Sequence, residues 1–124
     1  MNKRLSSKSS GEMAELLFAA ECYRHKIIVA FPHTDDIPYD FIIDNGKRLL
    51  KIQVKSSRHQ KGSATAFTIN YNVSKHSNNL DFYALYCYKT NDFYIVPVKK
   101  IKTNTFYGSK KNQVYKNNWQ LLKL

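Results

Sequence analysis

The chain has 124 residues, of which 43% are hydrophobic, enough to bury one core, and no run approaches the roughly 18 apolar residues that a membrane span requires. Its net charge is +11, and the distribution is lopsided: residues 1–44 carry five Lys/Arg against seven Asp/Glu, whereas residues 45–124 carry fifteen against only Asp81 and Asp92. A field of that sign attracts phosphate backbones and releases their counterions, so the charge favours nucleic acid over an acidic membrane as partner.

Residues 1–9 are basic and polar and read as a flexible lead-in, with no apolar segment of signal-peptide form after them. A soluble, cytoplasmic protein is expected. Residues 10–25 are predicted to form a helix. Ser9 and Glu12 have capping-box spacing. Met13, Leu16, Leu17 and Ala20 fall on one apolar stripe, with Glu12 and Glu15 on the stripe beside it. Residues 27–31 read as a strand that stops at Pro32. Residues 32–38 hold two prolines and Asp35-Asp36, and so form a loop whose acidic pair is solvated.

Residues 39–44 and 47–56 flank Asn45-Gly46, the strongest short signal for a hairpin. A two-residue turn there would place Asp44 opposite Lys47 as a cross-strand ion pair, Ile42 opposite Leu49, and Asp40 opposite Lys51, diagonal to Gln53. Side chains alternate faces along a strand. One face then carries Phe41, Ile43, Leu50, Ile52 and Val54 as core. The other gathers Asp40, Gln53 and Lys55.

Residues 66–70 read as a further strand, followed by a polar turn or short helix around 74–79. Residues 81–88 and 92–98 are predicted to pair through 89–91, with Asp81 as a cap at the strand start. The segment 99–124 is a basic extension in which Tyr107, Tyr115 and Trp119 lie among lysines, either packed on the domain or free to stack on bases. Cys22 and Cys87, 65 positions apart, have no metal-ligand spacing with the histidines and read as buried, reduced thiols. The order of elements predicts one domain over 1–124, a mixed α/β sheet with few helices.

Hydrolysis of a phosphodiester calls for hard oxygen donors to hold a divalent cation, and for a cation that stabilises developing charge or orients water. Asp40, the Gln53 carbonyl and Lys55 meet that description on one hairpin face, and Glu15 adds a carboxylate if the first helix packs on the sheet. These residues carry a resemblance. Ile37-Pro38-Tyr39-Asp40, then twelve residues, then Gln53-Val54-Lys55 looks like the PD-(D/E)XK nuclease core. Gly11 followed by Glu15 looks like the start of its first helix. Gln-x-Lys in place of Glu-x-Lys resembles the subgroup with group I intron-encoded homing endonucleases, and archaeal Holliday junction resolvases are similar in layout. The likeness spans about 8–98.

The resemblance implies a restriction-endonuclease-like fold and a metal-dependent endonuclease acting on double-stranded DNA. Asp40, Gln53 and Glu15 would bind Mg²⁺, or Mn²⁺ in its place, and Lys55 would act on the water. Glu12 is the alternative to Glu15. Because Gln53 is neutral, one Mg²⁺ is expected rather than two. Cutting both strands implies a homodimer or higher oligomer, with the aromatic strands around Tyr83 and Tyr94 as interface. A junction resolvase, or a DNA-binding module of this fold without catalysis, are the alternatives.

Overall fold

A helix of 18 residues, α1 (Ser7–Arg24), packs across one face of a five-stranded sheet in the computed structural model, which describes residues 4–70 and 79–124. The helix starts three residues before the expected position. Its N-cap is Ser6, whose hydroxyl accepts from the N–H of Ser9 at 3.2 Å, so Ser9 is inside the helix and the expected Ser9–Glu12 capping box does not form.

The buried stripe is Ser10, Ala14, Phe18 and Cys22, not the one predicted. Met13 and Leu16 are 40% and 66% exposed, Ala20 is exposed, and of the predicted four only Leu17 packs against the core. Residues 16–20 are apolar on every side, so periodicity alone leaves the facing stripe open. Packing settles it: Ser10 and Ala14 let the helix sit close, and Phe18 fills the space beneath. The Phe18 ring lies 5.1 Å from Phe41, 6.0 Å from Phe93 and 5.7 Å from Trp119.

The sheet has the order β1-β2-β3-β6-β7. β1 (Ile28–Ala30), β2 (Phe41–Asp44) and β3 (Leu49–Ser57) are antiparallel neighbours. β6 (Phe82–Cys87) runs parallel to β3, and β7 (Asp92–Pro97) returns antiparallel as the predicted second hairpin. A smaller sheet of β4 (Gln60–Lys61), β5 (Ala64–Thr68) and β8 (Thr105–Tyr107) covers part of the other face. β4 and β8 were not predicted, and β5 lies two residues before the predicted 66–70. Of the polar turn expected at 74–79, residues 74–78 lie outside the described residues.

The first hairpin has a different bend from the expected one. Asp44 pairs with Leu49, Ile42 with Lys51 and Phe41 with Ile52, so four residues, 45–48, make the turn. Only Gly46 (φ +82°) is left-handed there, whereas a type I′ turn needs two such residues. The side chains explain why. Asn45 Oδ1 accepts from the N–H groups of Lys47 (2.9 Å) and Arg48 (3.0 Å), and Asp44 Oδ1 accepts from that of Gly46 (2.9 Å). Asp44 therefore serves the turn and is not paired with Lys47. The register moves by two positions, so each side chain keeps its face. Phe41, Ile43, Leu50 and Ile52 are buried beneath α1 as expected, with Val54 partly so.

The sheet separates two apolar clusters. The first, under α1, includes Phe18, Phe41, Ile52, Ile95, Trp119 and Leu122; the second, under the smaller sheet, includes Phe67, Tyr83, Leu85, Tyr94, Ile101 and Phe106. Burial of each large apolar side chain stabilises by about 1.5–3 kcal/mol. Both clusters draw on residues after 98, so the C-terminal segment completes the core. Trp119 is 4% exposed and is not free to stack on bases. Asn117 locks this segment to β7: its N–H donates to Phe93 O at 2.6 Å, and its Oδ1 accepts from Phe93 N–H at 2.9 Å. Tyr83, Tyr86 and Tyr94 are buried within the chain itself, so the expected interface on those strands is not an exposed surface. Cys22 and Cys87 are buried free thiols, and burial, followed by the nearby Glu21 charge, pushes Cys22 up to about 12. No described helix is long and apolar enough to cross a membrane.

Candidate active site

The candidate site is built at an edge. β2 pairs with β3 only as far as Phe41 opposite Ile52. Pro38, two residues before Asp40, has no N–H with which to extend the ladder. At Asp40 the backbone still donates, to Ile52 O at 2.8 Å, and then the side chain takes over: Asp40 Oδ2 accepts from the N–H of Val54 at 2.8 Å. The carboxylate occupies the place that the next β2 carbonyl would fill. This sets Asp40 level with Gln53, rather than with Lys51 as predicted from a two-residue turn. The Lys51 N–H instead donates to Asp81 Oδ2 at 2.8 Å, and the Asp81 N–H to Lys51 O at 2.9 Å, so Asp81 is the strand-start bracket expected of it.

Gln53 and Lys55 alternate with Ile52 and Val54 and so lie on the face away from α1, both partly buried. The Gln53 carboxamide makes no hydrogen bond among the described residues. Glu15 approaches from the α1 side and is half-buried, whereas Glu12 is exposed.

The electrostatics tie these groups together. Burial raises the Asp40 carboxyl above its ordinary range, although the Val54 N–H and the Lys55 ammonium pull it down. Burial raises Glu15 too, and the charges of Asp40 and then Glu12 add to the rise. Asp40 thus feels Lys55, and Glu15 feels Asp40, as two faces of the sheet meet at the open edge of β3. Asp35 and Asp36 are exposed in their loop.

A divalent cation fits these donors. Two carboxylates hold their protons above the ordinary range, neither forms an ion pair with a cationic side chain among the described residues, and Gln53 lies level with Asp40 along the ladder. Such hard oxygen donors suit Mg²⁺. The described residues contain no cluster of three His, Cys, Asp or Glu.

Two features were missed in the sequence. The Val54 N–H that holds Asp40 is a main-chain group without a sequence signal. Arg58, just past β3, is fixed on the α1 side by a 2.8 Å hydrogen bond to Ser10 Oγ and lies 4.1 Å over the Tyr88 ring. Its even-numbered position, in phase with Val54, was the available clue.

A carboxylate at the entry to β2, a helical glutamate beside it and a Gln-x-Lys strand, on a mixed sheet of this order, are the layout of a nuclease fold. The chain belongs to the PD-(D/E)XK endonuclease family, whose model matches residues 5–118. That match runs well into the C-terminal segment, beyond the 8–98 expected. Among solved structures, the chain is similar to a bacterial homing endonuclease, I-Ssp6803I, with a TM-score of 0.78 and 24% identity over 94% of this chain and 92% of that one. It is also similar to the Holliday junction resolvase Hjc of the archaeal hyperthermophile Archaeoglobus fulgidus, with a TM-score of 0.60 and 13% identity over 91% and 95%. No curated protein matches the chain.

Proposed function

We propose that the protein is a Mg²⁺-dependent endodeoxyribonuclease that hydrolyses phosphodiester bonds of double-stranded DNA in the manner of a homing or restriction enzyme. The observation that carries this is the Asp40 carboxylate, held by Val54 at the open edge of β3 and coupled to Glu15 on one side and Lys55 on the other. Asp40, Glu15 and the Gln53 carbonyl would hold the cation, with Mn²⁺ able to replace Mg²⁺. When bound, the cation lowers the pKa of a water and offsets charge on the phosphate.

The chain's own groups do the rest. Val54 fixes one oxygen of Asp40 and leaves the other free. Partial burial of both carboxylates weakens the screening of their charges by water. Lys55, on the face where Gln53 projects, orients the attacking water and stabilises charge on the phosphate oxygens. A homodimer, with one site for each strand, is part of the proposal, as is a cytoplasmic setting in keeping with two unpaired thiols.

Incubation of plasmid DNA with Mg²⁺ tests the reading. Wild type should nick or linearise it, EDTA should stop this, and Lys55→Ala should abolish cutting while duplex binding persists. Binding without cutting by wild type would leave a DNA-binding module. The likeness to Hjc favours a second reading as a junction resolvase. A four-way junction cut in preference to linear duplex would establish that one.

A further inference from the structure

We propose that the C-terminal segment carries a second contact for duplex DNA, a cradle for the phosphate backbone formed by Lys100, Lys102 and Lys111. The proposal rests on the nuclease reading above and adds to it a grip separate from the cutting site.

A hollow of about 320 Å³ opens between the turn at Val98–Lys100, β8 and the short 3₁₀ helix Lys110–Tyr115. The three lysines line it, with Tyr107 and Tyr115 on its wall. No acidic residue is present to balance them: residues 99–124 hold seven lysines and no Asp or Glu. Of the seven, only Lys116 pairs with a carboxylate among the described residues, Asp92 at 3.4 Å. Ammonium groups collected around one hollow repel each other, and a polyanion relieves the repulsion.

The lysines are exposed, but the backbone beneath them is anchored. Ile101 and Phe106 are buried in the second cluster, β8 pairs with β5, the Ile69 N–H donates to Asn104 O at 2.7 Å, and Asn112 Nδ2 donates to Tyr107 O at 2.8 Å. Charges on a fixed scaffold lose less freedom when they bind. The second cluster lies on the side of the five-stranded sheet that also bears Gln53 and Lys55. A duplex offers a row of regularly spaced phosphates along that side, which a small phosphate ester does not.

The test compares wild type with a K100Q/K102Q/K111Q triple variant and a charge-keeping K100R/K102R/K111R control. All three positions are exposed, so melting temperatures should agree. Wild type and the arginine control should bind a duplex of about 30 base pairs with the same salt dependence. The glutamine variant should lose about 2.7 from the slope of log K against log salt, at roughly 0.9 for each phosphate contact. Its KM for cleavage should rise more than tenfold with kcat within about twofold.

An unchanged slope in the glutamine variant, with wild type cutting normally, would overturn the cradle and leave the nuclease standing. Loss of binding to phosphatidylserine vesicles with an intact DNA slope would also overturn it and assign the hollow to a membrane surface. Failure of wild type to bind or cut duplex would remove the nuclease reading itself, before any lysine is changed.

Discussion

Asp40 completes a β-ladder with its side chain: its Oδ2 accepts the Val54 N–H at 2.8 Å where the β2 main chain has already turned away. The bond fixes one oxygen and holds a partly buried charge next to Glu15. Asp40→Asn keeps an acceptor for Val54 and removes the charge. Cleavage should fall by about 100-fold or more, since several kcal/mol of electrostatic stabilisation go with the carboxylate. Stability should move the other way. The folded-state carboxyl sits above its ordinary value of 3.8, so its stabilising contribution is complete below that value and is lost as pH rises through the folded one. Thermal melting should show the variant more stable than wild type near pH 7, with the gap closing in acid.

Gln53→Glu tests the donor set from the opposite direction. A third carboxylate strengthens cation binding, because ligand charge count tunes affinity. The Mg²⁺ concentration for half-maximal cleavage should fall on the order of tenfold. Without metal the added charge raises Asp40 and Glu15 further, so EDTA should lower the melting temperature of this variant more than that of wild type.

The lock between the C-terminal segment and β7 is open to a stability test. Asn117 adopts φ +50°, bonds the Phe93 backbone twice, and donates through Nδ2 to Asp92 Oδ1 at 2.8 Å. Asn117→Ala loses the side-chain bonds and puts an unfavourable residue in the left-handed region, so urea unfolding should show a loss of about 1–3 kcal/mol. Asp92 itself is raised by burial, but hydrogen bonds from Thr90 and Asn117 and the Lys116 charge outweigh this and leave it below its ordinary range. Its contribution is present above the unfolded value and is lost as pH falls through the folded one. The lock should therefore loosen in acid, and Asp92→Asn should remove that part of the pH dependence.

Gly108 is close to a buried ring. A Cβ there would lie 2.9 Å from Tyr94 Oη and 3.0 Å from its Cζ. Tyr94 is 5% exposed and packs on Phe67 and Phe106, so it cannot swing clear cheaply. Gly108→Ala should cost about 1–3 kcal/mol, read from the shift of the urea midpoint.

Much of the site was legible in the sequence because the strand period of two is rigid. Phe41, Ile43, Leu50 and Ile52 declared one face, and Asp40, Gln53 and Lys55 were thereby assigned away from it. What failed was information carried by polar side chains and tight packing. Asn45 and Asp44 hydrogen-bond the turn backbone in a way that no hydrophobic pattern encodes. Ser10 and Ala14 are buried because they are small, whereas Leu16 is exposed although it is apolar. The C-terminal lysines hid the depth of Ile101, Phe106, Trp119 and Leu122, since charge on one side of a segment says nothing of what its other side covers.

The bend at 45–48 has a further meaning for how this chain can change over generations. Because alternate side chains share a face, lengthening or shortening that bend by a pair of residues slides Gln53 and Lys55 along the ladder but leaves them looking the same way. A single inserted or deleted residue would turn them inward only if β3 rotated with it, and the pairing of β3 with β6 and the burial of Leu50 and Ile52 oppose that. Such a change should therefore be taken up within the exposed bend, leaving Gln53 and Lys55 where they are.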